Sequence, residues 1–243
     1  MRIIKLDAID STNSYLRKLY AIENIDDYTA VIAENQIEGR GQMGTDWNSE
    51  AYKNLTFSVF KDLSGFKIEA PFYISMITAL SILKALESFG IPRLSIKWPN
   101  DILSADKKIC GVLIENVIKQ GCFNASIVGI GLNVNQTEFE NLPKASSLKI
   151  ISGKEFDLDE LTITIIDRMK DYFMLLKNEK YHDIKEAYEM YLFRKNKPST
   201  FKDAEGRVFS GFIKSVSKSG HLQVLLEDNI LKAFDLKEIT LLY

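Results

Sequence analysis

The sequence predicts an α+β protein: a larger domain of mixed and antiparallel strands flanked by helices, followed by a small all-β unit. Three observations carry this. Short β-type runs alternate with helical stretches over the first 135 positions. A capped amphipathic helix and a second helical run occupy 157–195. From Pro198 onward only short strand-like runs remain, divided by Gly206, Gly220 and Asp228-Asn229, which suggests a small barrel. That switch in periodicity draws the boundary, giving domains 1–194 and 195–243.

Taken in order, Ile3 to Leu6 reads as a short strand and DSTNSYLRKLY as a helix opened by Ser11, Thr12 and Asn13, whose side chains can cap free backbone donors. TAVIAE is a buried strand, and NLTFSVF alternates as the next. A long helix runs from about Pro71 to Phe89, with proline at its start, Gly90 at its end and one apolar face toward the core. LSIKW, KKICGVLIENVI and CFNASIVGIGLNV form three strands of an antiparallel meander, turning near Ala105-Asp106 and Gln120-Gly121. Asp157-x-x-Glu160 is a capping box before Leu161, Ile165, Met169, Phe173 and Leu176, and YHDIKEAYEMYLFRK is a last helix.

Length and composition exclude several classes. At 243 residues, 46% hydrophobic and 26% charged, the chain can bury a full core. A net charge of −2 gives no basic footprint for nucleic acid. The start, MRIIKLDAIDSTN, lacks an apolar signal core, and the longest apolar stretch, Phe72 to Leu83, is too short for a typical span, so a cytoplasmic protein without membrane contact is expected. Cys110 and Cys122 have neither metal nor redox spacing and read as packing residues.

The stretch EGRGQMGTDW contains Gly39-x-Gly41-x-x-Gly44, the spacing of a dinucleotide fingerprint. It joins strand to strand, however, and TDWNSEAYKN offers no helix N-terminus to take a pyrophosphate. No Walker motif, kinase signature, serine elbow or histidine triad occurs. What stands out is cations beside glycines and turns: Arg40 in the glycine loop, Lys97 before Trp98-Pro99-Asn100-Asp101, and Lys108 past the next turn. Together they have the character of a phosphate clamp, although lysine and aspartate at strand ends are more often plain surface residues.

The stretches DSTN (10–13), AENQIEGRGQMGTDW (33–47), KWPND (97–101), KKICGVLIE (107–115) and GIGLNVN (129–135), in this order and spacing, resemble the biotin protein ligase family. The resemblance covers about the first 190 residues. It implies a class II synthetase-like catalytic domain, and the tail is similar to the SH3-like barrel that ends bacterial members. It also implies a reaction: biotin and ATP give biotinyl-5′-AMP and pyrophosphate, and the biotin then passes to a lysine of a biotin carboxyl carrier domain. Lipoate or octanoyl transfer, or a non-catalytic biotin-sensing module, are the alternatives.

The resemblance implies roles as well. Ser11, Thr12, Asn13 and Gln36 match positions that bind the biotin ring, with Gly39, Arg40, Gly41 and Gln42 in the loop that orders over the ligand and Gly111 close to it. Lys108 matches the lysine that meets both the biotin carboxylate and the phosphoryl group. Lys97, Asn100, Asp101 and Asn133 match the nucleotide side, where Asp101 would contact Mg²⁺, and Trp47 matches a loop-end tryptophan. Arg40, Lys97 and Lys108 are thus the expected catalytic cations. Gln42 and Thr45 stand where arginine is frequent in the family, which shifts the charge onto those three. Repressor members carry an N-terminal helix-turn-helix domain, whereas this chain starts almost at the DSTN helix, so no DNA partner is expected. Homodimerisation through a sheet edge is.

The chemistry suits the residues. Biotin's carboxylate is already an anion at neutral pH, so the obstacle is bringing it up to a triphosphate, and preorganised cations lower that barrier. The glycines would let the loop close over a reactive anhydride as a lid.

Overall fold

The computed structural model describes residues 2–243, apart from the side chain of Met43. The chain opens with β1 (Ile3–Ile9), α1 (Thr12–Ile22) and β2 (Ala30–Gln36), with β1 and β2 parallel. The helix begins where Ser11 Oγ accepts from Ser14 N, as the side chains of DSTN suggest. A long connection leads to β3 (Leu55–Asp62), antiparallel to β2.

α2 (Phe72–Ser88) follows, then β4 (Leu94–Lys97), β5 (Asp101–Ser104), β6 (Lys107–Lys119) and β7 (Cys122–Leu132). The seven strands make one mixed sheet in the order β1-β2-β3-β7-β6-β5-β4. The meander therefore has four strands where three were expected. Residues 101–104 are all buried, so this short strand has no alternation to reveal it, and Trp98 to Asn100 form the turn between β4 and β5.

The expected single apolar face of α2 is also corrected. Tyr73, Thr78 and Ser81 are as buried as Ile74 and Leu80, because the helix lies between the sheet and two later helices. Thr78 and Ser81 satisfy their hydroxyls by donating to Ile74 O and Ile77 O at 2.7 and 2.6 Å. Those helices are α4 (Leu158–Lys177) and α5 (Tyr181–Met190), preceded by a five-residue α3 (Leu148–Ser152), too short to show a period in the sequence. Asp157 Oδ1 accepts from Glu160 N at 2.9 Å, the cap that the DLDE spacing foretells. No helix among the described residues is long and apolar enough to cross a membrane.

The tail forms β8 (Pro198–Asp203), β9 (Val208–Val216), β10 (Leu222–Leu226), β11 (Leu231–Phe234) and β12 (Ile239–Leu242), an antiparallel sheet in the order β11-β10-β9-β8-β12. The expected boundary at 195 falls between α5 and β8. The apolar core does not stop there: Phe201, Ile213, Val216 and Leu222 belong to the same buried cluster as α2. Glu189 on α5 bolts the joint, meeting Lys185 Nζ at 2.7 Å and Lys195 Nζ at 3.0 Å and accepting from Val216 N at 3.1 Å. A smaller cluster, Leu16 with Val31, Phe60 and Ile127, lies under α1.

Of the two cysteines, Cys110 is buried, and burial pushes its thiol well up; Cys122 is exposed beside the β6–β7 turn, so it is not the packing residue expected.

Candidate active site

One cavity of ≈ 440 Å³ is bounded by the start of α1, the glycine loop, the β4–β5 turn, the strands β3, β6 and β7, and the facing side of the second sheet. Its floor exists because three strand positions carry no side chain. Gly111 and Gly131 are directly opposite each other on β6 and β7, and Gly129 pairs with Leu113. A Cβ on Gly131 would fall inside the indole of Trp47, one on Gly111 would stand 3.1 Å from Trp47 Cζ3, and one on Gly129 would stand 2.5 Å from Asn13 Oδ1. The glycines thus make room for two site side chains.

The glycine loop runs from β2 to β3 through a single 3-10 turn, Gln42–Gly44, and opens onto no α-helix. It folds back on itself, with Trp47 N donating to Gly39 O at 2.8 Å and Gly41 N to Thr45 O at 2.6 Å. Gly39 and Gly41 are demanded by close approach, to the backbone of Trp47 and to Thr45 respectively; only Gly44, at φ 79°, needs the left-handed region.

One end of the cavity is a network of hydroxyls and amides, with the charged Glu115 and Arg40 behind it and at its rim. Gln36 Oε1 accepts from Thr12 N at 3.0 Å and Thr12 Oγ1 at 3.2 Å. Ser58 Oγ lies 2.7 Å from Thr12 Oγ1 and 2.6 Å from Asn13 Oδ1. Asn13 Nδ2 donates to Glu115 Oε2 at 3.3 Å, which sets the amide's orientation with its oxygen toward Ser58. Arg40 reaches the rim here: its Nη2 donates to Ser14 Oγ at 2.8 Å and stands 3.9 Å from Glu115 Oε1.

The other end is ionic. Asp101 is 8% exposed, and its two oxygens meet Lys108 Nζ at 2.7 Å and Lys97 Nζ at 3.3 Å. A register shift between Ile102 and Leu103 accompanies the placement of Lys108. Lys108 Nζ also stands 5.6 Å from the Trp47 ring centroid. Asn100 Nδ2 donates to Val112 O at 2.6 Å, pinning the turn to β6. The Tyr243 ring lies below Lys97, and burial, then Asp101 and Asp106, push its phenol up.

Of the residues singled out from the sequence, Ser11, Thr12, Asn13, Gln36, Arg40, Gly41, Gln42, Trp47, Lys97, Asn100, Asp101, Lys108 and Gly111 line this one cavity. Lys97 and Lys108 meet on Asp101, whereas the Arg40 guanidinium is engaged at the α1 end. Gly39 lies behind the loop wall, and buried Asn133 donates its amide to Ser146 O at 3.0 Å, away from the lining. Sequence reasoning passed over Ser58, Glu115 and Tyr243. Glu115 ends the stretch KKICGVLIE, but the other two had no local signal, since only the folded chain brings Ser58 against Thr12 and Asn13 and Tyr243 against Lys97, behind the residues that line the cavity.

Comparison with known proteins agrees in direction. The profile of the Biotin/lipoate A/B protein ligase family matches residues 6–133. The chain is 28% identical over 238 residues to the bifunctional ligase/repressor BirA of Escherichia coli, covering 97% of this chain and 73% of that protein. It is 32% identical over 141 residues to the biotin–[acetyl-CoA-carboxylase] ligase of Mycobacterium tuberculosis, covering 57% of this chain and 51% of that one. The structure of the biotin protein ligase from Aquifex aeolicus in complex with biotin and ATP superposes with a TM-score of 0.82 at 28% identity, over 99% of this chain and 98% of that one.

Proposed function

This chain belongs to the Biotin/lipoate A/B protein ligase family, and from that premise we propose that it is a biotin protein ligase that activates biotin with ATP and transfers it to a lysine of a carrier domain. The single observation that carries the reading is the polarity of the cavity: a neutral hydrogen-bonding end at Thr12, Asn13 and Gln36, and a cationic end where Lys97 and Lys108 share Asp101.

A ureido ring presents paired N–H donors and a carbonyl, which the hydroxyls and amides of the first end can answer. In the first step the biotin carboxylate oxygen bonds to the α-phosphorus of ATP and the bond to the bridging oxygen breaks, releasing pyrophosphate. Lys108 would bring the two anions together, because its amine reaches both the floor of the cavity and the ionic end; Lys97 would take charge from the departing phosphates. Asp101 holds both amines in place, a preorganisation that costs no rearrangement at the moment of reaction.

Mg²⁺ would enter on the nucleotide phosphates and needs one or two protein oxygens. Among the described residues no three His, Cys, Asp or Glu side chains gather into a metal cage. Asp101, whose oxygens keep lone pairs to spare beside Lys97 and Lys108, is the residue that would contact a metal carried in by ATP, and the ion would neutralise phosphate charge there.

In the second step the neutral amine of the acceptor lysine attacks the acyl carbon, AMP leaves with the anhydride oxygen and the amine's proton passes to solvent water. Until then the glycine loop, tethered through Arg40 to Ser14, would keep water from the anhydride. The acceptor is a biotin carboxyl carrier domain. A homodimer through a sheet edge would use β1, since β4 is covered by Tyr191–Phe193 backbone bonds to Ile96. We assign the enzyme to the cytoplasm, where ATP and reduced cysteines are both found.

Incubation with biotin, MgATP and a purified carrier domain, followed by intact-mass measurement, tests the reading. One biotinyl group per carrier supports it. Labelling by lipoate in preference to biotin, or biotin binding without pyrophosphate release, would replace it with lipoate ligation or a sensing module.

A further inference from the structure

Few cations are available to a triphosphate at the Asp101 end. Arg40 is held at the opposite end by Ser14 and Glu115, and the loop side chains of Gln42 and Thr45 are neutral. Lys97 and Lys108 are both paired to one carboxylate, so that three-residue cluster carries a net charge of only one unit. Set against a polyanionic ligand, the protein's own share of positive charge is small, even with Mg²⁺ carried in on the phosphates.

One further ammonium stands next to this place, outside the cavity lining and joined to Lys97 through a shared aromatic ring. Lys144 Nζ stands 3.9 Å from the ring centroid of Tyr243, and Lys97 Nζ stands 5.6 Å from the same centroid. The ring is itself fixed edge-on against Phe193, with centroids 5.2 Å apart. The backbone beneath Lys144 runs alongside the second catalytic lysine: Lys108 N donates to Lys144 O at 2.7 Å and Ser146 N donates to Lys108 O at 2.9 Å. Lys107 Nζ donates to Pro143 O at 2.7 Å, and Asn133 secures the far end of the segment through Ser146 O. Three lysines from three segments are thus gathered by a terminal aromatic ring and one short strip of backbone.

We propose that Lys144, seated on the ring of Tyr243, is a further triphosphate-binding cation and that Tyr243 is its positioning residue; the inference rests on the reading of this cavity as an ATP site. Lysine's long stem samples many rotamers when free in solvent. The ring removes part of that freedom before the ligand arrives, so less is lost on binding. The quadrupole of the same ring offsets the repulsion between the Lys97 and Lys144 ammoniums that an empty site would otherwise feel.

The test is biotin-dependent pyrophosphate release by the full chain. Lys144→Met is expected to raise KM for ATP about tenfold, with KM for biotin and the melting temperature unchanged, and Lys144→Arg to restore most of the loss. The defect should shrink as salt is raised, because an exposed charge is screened. Tyr243→Ala should shift KM for ATP in the same direction, and Tyr243→Phe, which keeps the ring, should rescue it. A wild-type KM for ATP in Lys144→Met, beside normal turnover of the parent chain, overturns the inference alone. Equal damage from Tyr243→Phe and Tyr243→Ala overturns the positioning by the ring. A parent chain that releases no pyrophosphate removes the underlying reading and the inference with it.

Discussion

Lys108 Nζ stands 2.7 Å from Asp101 Oδ1, on a carboxylate whose other oxygen is taken by Lys97. The pair holds a cation at the junction of the neutral and ionic ends of the cavity, where an attacking carboxylate and a phosphorus would meet. Loss of one such preorganised charge costs about 10²- to 10³-fold in rate. Lys108→Ala is accordingly expected to lower biotin-dependent pyrophosphate release by that factor while leaving the melting temperature near wild type. Near-normal adenylate formation by the mutant would take Lys108 out of the chemistry.

Gly131 has no room for a methyl group, because Trp47 fills the space above it. The strand cannot yield, being paired on both sides, so Gly131→Ala should expel the indole and open the wall of the cavity. The protein has two tryptophans, Trp47 and Trp98, so in a Trp98→Phe background the change reads directly as a shift of Trp47 fluorescence. Biotin affinity is expected to fall about tenfold or more. An unchanged emission spectrum would contradict the packing described.

Ser58 is fully buried and stands between Thr12 and Asn13. Ser58→Ala leaves those two groups short of a partner, at a cost of about 1–3 kcal/mol. Since both line the cavity, the loss should register in biotin KM as well as in thermal stability, with KM for ATP unmoved. Calorimetric titration with biotin checks it.

Glu189 supplies a pH-dependent share of stability. Burial pushes its carboxyl up, but hydrogen bonds from Lys185, Val216 N and Lys195 outweigh that and hold it below the ordinary 4.5. A carboxyl depressed in the folded state stabilises fully above the unfolded value and ceases to do so as pH falls through the folded one. Glu189→Gln should therefore cost about 1–3 kcal/mol at pH 7. The gap in melting temperature between mutant and parent should narrow only below pH 4.5. A gap that persists unchanged into acid would assign the effect to packing.

The capping residues, the helix punctuation of Pro71 and Gly90, and the strand-to-strand setting of the glycine loop were all legible locally, because each depends on backbone donors and dihedrals within a few residues. The short strand β5 and the one-turn α3 were not, since elements this brief carry no period. The family resemblance implies a nucleotide contact for Asn133, and in the structure its side-chain nitrogen donates to Ser146 O, a partner that exists only once the 143–146 segment has docked beside β6. Lys108 was visible as an unusual residue and Gln36 only through the family resemblance, but which end of the cavity each serves depends on what their neighbours leave unpaired.

By itself, then, the sequence determined the order of the longer elements, the mixed α+β class and the set of polar residues too oddly placed for a bland surface. Tertiary structure alone decided that Arg40 turns to Glu115 while Lys97 and Lys108 turn to Asp101, and that the last residue, Tyr243, lies beneath two lysines. The physical reason is range. Caps, turns and alternation act between near neighbours in the chain, whereas the pairing of charges is settled by distances that only the closed sheet and its shared core bring within a few ångströms.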